Sequence, residues 1–222
     1  MWNSKGLIVF LIFLSLKGFG QDSLSVSTEI DKPFLSSIAV TVDYGKLMGQ
    51  ILNTESKYEF GGQLELKDRL ILLGEYGFAT LTPNGAYQNT DYESKGNYFR
   101  VGLGYKISFT AKNNIYFSAR YARADFKDQG TIDITSASGL YDDLNDPFRR
   151  ENLTANWYEL VMSSEARLWK SLYAGFHFRF RIMDIYDKQA PLDVYTIPGY
   201  GRTFDKTIPA LNLYIKYALE RF

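Results

Sequence analysis

The chain of 222 residues contains no cysteine, one histidine and six prolines. The missing thiols exclude a disulfide framework, thiolate metal sites and a cysteine nucleophile. A lone imidazole, His177, excludes zinc sites built from several histidines. Neither sign of charge is in excess, with 25 Lys and Arg against 25 Asp and Glu. That balance speaks against a nucleic-acid-binding surface. After residue 20 no apolar run approaches the length of about 20 residues that a spanning helix needs. No cofactor or metal motif is present, so no cofactor is expected.

What the chain does have is aromatic side chains, 16% of all residues, and an apolar leader. Residues 1–20 read MWNSKGLIVFLIFLSLKGFG. Lys5 supplies a positive start, and Gly6 to Leu16 is apolar or small apart from Ser15. Gly18 and Gly20 place small residues before a cut at Gln21. This is the layout of a secretory signal peptide. The alternative, an N-terminal membrane anchor, would need a longer run. Residues 21–35 are polar and read as a periplasmic lead-in to a domain over 36–222.

From residue 36 onward the hydrophobic period is two, which marks strands with unlike faces. Eight strands are predicted, over about 36–48, 57–67, 69–81, 97–110, 114–126, 154–168, 172–186 and 208–221. The clearest places Phe99, Val101, Leu103, Tyr105 and Ile107 opposite Tyr98, Arg100, Gly102, Gly104 and Lys106. Connections alternate between short turns, such as Lys67-Asp68 and Ala111–Asn114, and long loops at 49–56, 82–96, 127–153 and 187–207. Thr131 to Thr135 alternates within the third of these and predicts an outward extension of the wall. An even number of strands, with short turns at one end and long loops at the other, is the plan of an outer-membrane barrel. The predicted fold class is therefore all-β: one eight-stranded antiparallel transmembrane barrel, with periplasmic turns and extracellular loops.

A soluble sandwich would also alternate, but three features favour the membrane. The apolar face is continuous and aromatic in nearly every strand. The opposite face carries Asp43, Glu59, Glu65, Glu75, Glu159, Glu165 and Glu220 against Arg100, Lys106, Arg120, Arg167, Arg179, Arg181 and Lys216. Such sign matching suits a desolvated interior. The chain also ends on Phe222, although that residue is out of phase with Tyr217 and Leu219. Eight strands leave room only for side chains, so a lumen closed by ion pairs is predicted.

The stretches SKGNYFRVGLGY (94–105), TANWYELV (154–161), LWKSLYAGFHFRFR (168–181) and IPGYG (197–201) carry a resemblance. The chain resembles an uncharacterised family of small outer-membrane β-barrel proteins of the Bacteroidota type. The resemblance implies export and an outer-membrane location, and it carries over no catalytic residues.

Four groups could carry chemistry. His177 could be a base, paired with Glu159 or Glu165 and activating Ser163, as nucleophilic catalysis requires. The plainer alternative is a lumen histidine in a polar network. Arg100, Arg120, Arg179 and Arg181 could bind an anion or a lipid phosphate, or simply pair with the carboxylates. Asp142, Asp143, Asn145 and Asp146 could hold calcium through oxygen ligands, or form a solvated acidic loop. Pro198, Gly199, Tyr200 and Gly201, followed by Arg202, could form a turn or a partner contact with an exposed tyrosine. The expected function is a non-enzymatic interaction subunit of an envelope complex, with outer-membrane lipid and other envelope proteins as partners. A barrel enzyme acting on lipid or peptide and a barrel binding a small amphiphile are the alternatives.

Overall fold

The structure, a computed structural model, describes residues 33–220 apart from 45–54, 84–85, 87–89, 111, 135–143 and 191. The leader, most of the lead-in, Asp142, Asp143 and Phe222 lie outside the described residues.

Eight strands close into one antiparallel barrel. In chain order they are β1 (Leu35–Asp43), β2 (Glu55–Leu66), β3 (Leu70–Leu81), β4 (Thr90–Ser108), β5 (Asn113–Ile134), β6 (Leu144–Trp169), β7 (Leu172–Tyr186) and, after two short strands, β10 (Thr207–Glu220). Each pairs with its neighbour in sequence, and β1 closes the ring against β10 with Val40 opposite Tyr217. The short strands β8 (Thr196–Ile197) and β9 (Gly201–Arg202) pair with each other in the loop before β10. The turn after β2 puts both Lys67 and Asp68 at positive φ, 50° and 60°. The Arg69 amide closes this turn on the Leu66 carbonyl at 3.1 Å, and positive φ at both central residues gives it the twist that suits a hairpin.

The alternation settles which face is which. Val40, Phe60, Phe78, Leu103, Leu160 and Leu211 all point outward and are exposed. Glu59, Arg100, Arg120, Glu159, Arg179 and Lys216 point inward and are buried. A closed wall with an apolar exterior and a polar interior is a membrane-spanning barrel, because ring closure leaves no open sheet edge to the lipid. No helix among the described residues is long and apolar enough to cross a membrane; the strands make the crossing.

Two predicted loops are largely wall. β4 begins at Thr90, β5 runs to Ile134 and β6 starts at Leu144, where long loops were expected over 82–96 and 127–153. Strands β4, β5 and β6 have 19, 22 and 26 residues, whereas a bilayer needs about 9–11. They continue past β3 and β7 as a three-stranded blade. Thr131 pairs with Asp91 on one side and Pro147 on the other, so the alternating patch over 131–134 is part of it. The long unbroken apolar signal stops at the membrane edge, but the hydrogen-bonded ladder does not.

Candidate functional site: the occupied lumen

Three layers fill the barrel. The middle layer is an arginine–glutamate lattice contributed by six strands, β2 to β7. Arg100 on β4 donates to Glu59 at 2.6 Å, to Glu159 at 2.8 Å and to Glu75 at 3.3 Å. Arg179 on β7 reaches Glu75 at 2.8 Å, Glu159 at 3.1 Å and Glu59 at 3.2 Å. Arg120 on β5 donates to Glu75. Three carboxylates are thus shared among three guanidiniums, whose flat multidentate heads suit such bridging. The spacing is a product of register: Glu75 opposes Arg100, and Arg120 opposes Glu159, on adjacent strands.

The layer nearer the short turns is separate. Glu165 accepts from Lys216 at 2.5 Å, from Tyr214 at 3.1 Å and from Tyr116. Lys106 donates to Glu65. Below them the lumen opens as a polar cavity of about 300 Å³ at the short-turn rim. Arg167 does not join the lattice and donates instead to the Tyr173 hydroxyl at 2.5 and 2.8 Å.

The layer nearer the long loops is apolar, and it is partly built by the loop between β7 and β10. The tip Ile197–Gly201 folds into the barrel. Val194, Ile197 and Tyr200 are fully buried, against Trp157, Tyr98, Ala122, Ala124 and Ala155 of the wall. The rings of Trp157 and Tyr200 meet edge-on at 5.7 Å. Gly199 has φ +81° and lies over the Tyr98 ring, where an added Cβ would sit 2.5 Å from the ring. On its other side Tyr98 lies over Gly77, where an added Cβ would be 2.3 Å away. The lattice grips this tip by its backbone. Arg100 donates to the Gly199 carbonyl at 2.9 Å, and Arg181 donates to that of Tyr200.

These positions revise three expectations. The IPGYG segment is not an exposed contact: Pro198 and Tyr200 are less than 2% exposed and plug the lumen. The reason is space. Wall positions around the tip include Gly77, Ala122, Ala124 and Ala155 on the inward side, and the tip fills what they leave. That run of small inward residues was the readable signal, and sequence reasoning passed over it. His177 does not pair with Glu159 or Glu165, because both carboxylates are held by cations. Instead its Nδ1 shares a 2.6 Å hydrogen bond with Ser163 Oγ, and its ring stacks on Tyr214 at 4.1 Å. Ser163 is 2% exposed, and the space beside His177 is about 10 Å³, about one water molecule and no substrate. Arg181 lies inward as expected, but its described bond is to the plug carbonyl. Of the acidic stretch at 142–146, Asn145 and Asp146 are paired within the ladder, opposite Asp133 and Ile132. No group of three or more metal-type ligands occurs among the described residues.

Outside the membrane, the blade is fastened to the plug loop. Asp128, 1% exposed, accepts from Tyr92 at 2.9 Å and from Arg150 at 2.7 and 2.5 Å. Arg150 also reaches the Leu192 carbonyl at 2.6 Å. Burial, and then the Asp128 charge, push the Tyr92 phenol far above its ordinary range. Asp193, at the base of the plug, is raised by burial. The Gln189 and Val194 amides and the Tyr186 hydroxyl outweigh this and hold it below the usual carboxylate range.

A closed barrel with a lipid-facing wall and an occupied lumen has the fold of the outer-membrane β-barrels. Within that class, residues 6–219 match the model of the DUF6048 family, described as a domain of unknown function, and the chain belongs to it. No curated protein matches the chain. Among solved structures it is similar to a major outer membrane protein of Thermus thermophilus, with 13% identity over 83% of this chain and 99% of that one, TM-score 0.49. It is also similar to the N-terminal β-barrel domain of Pseudomonas aeruginosa OprF, with 11% identity over 83% and 98%, TM-score 0.46. The attachment invasion locus protein Ail of Yersinia pestis shows 9% identity over 83% and 97%, TM-score 0.42.

Proposed function

We propose that this protein is a non-enzymatic barrel of a Gram-negative, Bacteroidota-type outer membrane, exported by a cleaved signal peptide. It acts there as a structural or interaction subunit of an envelope complex, in outer-membrane assembly or export. The observation that carries this is the division of labour in the molecule. The lumen is spent on its own plug and lattice, while the strands continue beyond the membrane as an ordered blade with exposed charged edges. A solute would have to displace both the apolar tip and three shared carboxylates to pass. What is left to present to other molecules is the blade and the wall.

The test is co-purification. The protein tagged in the 135–143 segment is extracted from native outer membranes in mild detergent. A stoichiometric set of envelope proteins is the expected result, and a lone barrel would count against the subunit role. His177→Ala separates the enzyme alternative. Lipid and peptide profiles of the membrane are expected to be unchanged, and a change would restore the Ser163–His177 pair as chemistry.

A further inference from the structure

On the outside of the wall, where the membrane-facing surface gives way to the blade, four strands place a polar residue in one continuous row. Ser56 on β2 opposes Thr80 on β3, Thr80 opposes Lys95 on β4, and Lys95 opposes Lys127 on β5. One step toward the membrane the row reads Tyr58, Phe78, Asn97 and Asp125 across the same four strands, apolar and exposed on β2 and β3 and polar on β4 and β5. Between the two rows runs a groove of about 580 Å³.

The lysine pair is the anomaly. Like charges directly opposite in an antiparallel ladder repel, and sheets disfavour them. Both lysines are exposed. Their neighbouring carboxylates are already engaged: Asp125 accepts from Arg123 at 3.1 Å, and Glu151 from Arg149 at 2.5 Å. Lys127 acts on Glu151 only as a weaker second charge after Arg149. The ladder also breaks register beside Lys127, between Phe126 and Asp128. A bulge at this point turns a side chain without ending the strand.

We infer that this groove is a binding site for a phosphomonoester-bearing lipid of the adjoining leaflet, the chemistry of a phosphorylated glucosamine lipid. The phosphate lies between Lys95 Nζ and Lys127 Nζ, Ser56 and Thr80 offer hydroxyls to the headgroup, and an acyl chain rests on Tyr58 and Phe78. Charge selects the monoester. It carries about −1.5 to −2 near neutral pH and can neutralise two ammonium groups, whereas a phosphodiester carries one negative charge. The apolar half of the groove selects a lipid over free phosphate. The site depends on the wall facing lipid and not on the subunit role, so co-purification could fail and the groove still bind.

The chain in detergent would be titrated with bis-phosphorylated lipid A, with enzymatically dephosphorylated lipid A and with phosphatidylglycerol. Bound lipid would be counted by native mass spectrometry. Lipid A is expected to bind, and Lys95→Gln/Lys127→Gln to bind it about tenfold more weakly, the scale of losing hydrogen bonds to a charged group. Lys188→Gln, beyond the end of β7 and outside the groove, should bind as the parent does. Equal binding by the double variant, or equal binding of phosphatidylglycerol and lipid A, would overturn the site. A second measurement needs no ligand. In lipid-free detergent, Lys127→Gln removes a repulsion and should raise the unfolding midpoint; a fall would remove the argument from like charges.

Discussion

Glu159 shows what a single lumen side chain contributes. It bridges Arg100 and Arg179 and accepts a 2.8 Å bond from Trp157 Nε1. Buried ion pairs add little net stability against an apolar core, but stranding one partner is costly. Glu159→Ala leaves two buried guanidiniums undercompensated and is expected to cost about 3–5 kcal/mol, read from denaturant unfolding in detergent. An unchanged midpoint would mean the remaining carboxylates suffice. Gly199 is a second case. Alanine there must adopt φ +81° and meet the Tyr98 ring, so Gly199→Ala is expected to expel the tip from beside Trp157. In a Trp169→Phe background lacking residues 1–20, and with them Trp2, Trp157 emission should shift to the red, and an unshifted spectrum would place the tip back in the lumen.

At the scale of elements, the plug loop and the blade are held by different chemistry. Asp193 ties the base of the loop to Gln189, Val194 and Tyr186. Its folded pKa is depressed, so its contribution is present above its unfolded value of about 3.9 and is lost as pH falls through the folded one. Protection of the amides at 189 and 194, relative to their intrinsic exchange at each pH, should therefore fall below about pH 4, while the wall strands stay protected. Protection factors that do not change across that range would remove Asp193 from that role. The blade depends on Arg150. Arg150→Ala leaves the buried Asp128 with Tyr92 as its remaining described donor and releases Leu192. Protease cleavage in 187–195 is expected to rise, with the membrane-embedded barrel still intact on gels.

For the whole molecule, closure is the central property. The tip, the lattice and the lysine–glutamate layer lie in series along one lumen. In planar bilayers the protein is expected to show no steady ionic conductance, and Gly199→Ala alone should not open it, because the lattice below remains. A stable open channel in the parent protein would overturn the plugged reading. The same arrangement leaves the blade, the wall and the polar cavity at the short-turn rim as the surfaces other molecules can reach.

The sequence by itself determined the eight wall strands, their antiparallel closure, the face their residues take and the membrane as solvent. Those follow from a period of two, from alternating loop lengths and from turn residues such as Lys67-Asp68, all local properties of the chain. The inward acids and bases were also legible as two sets of opposite sign. Their pairing was not. Arg100 meets Glu59, Glu75 and Glu159, which lie 25 to 59 residues away, only after register and closure bring four strands to one level. Ladder continuation beyond the membrane was legible only in the alternation from Thr131 onward; the rest was hidden because hydrogen bonding, not an apolar face, sustains the blade. The loop at 193–203 was hidden most completely. Pro198, Gly199 and Tyr200 have the composition of a surface turn, and only the space left by Ala122, Ala124 and Ala155 decides that they turn inward.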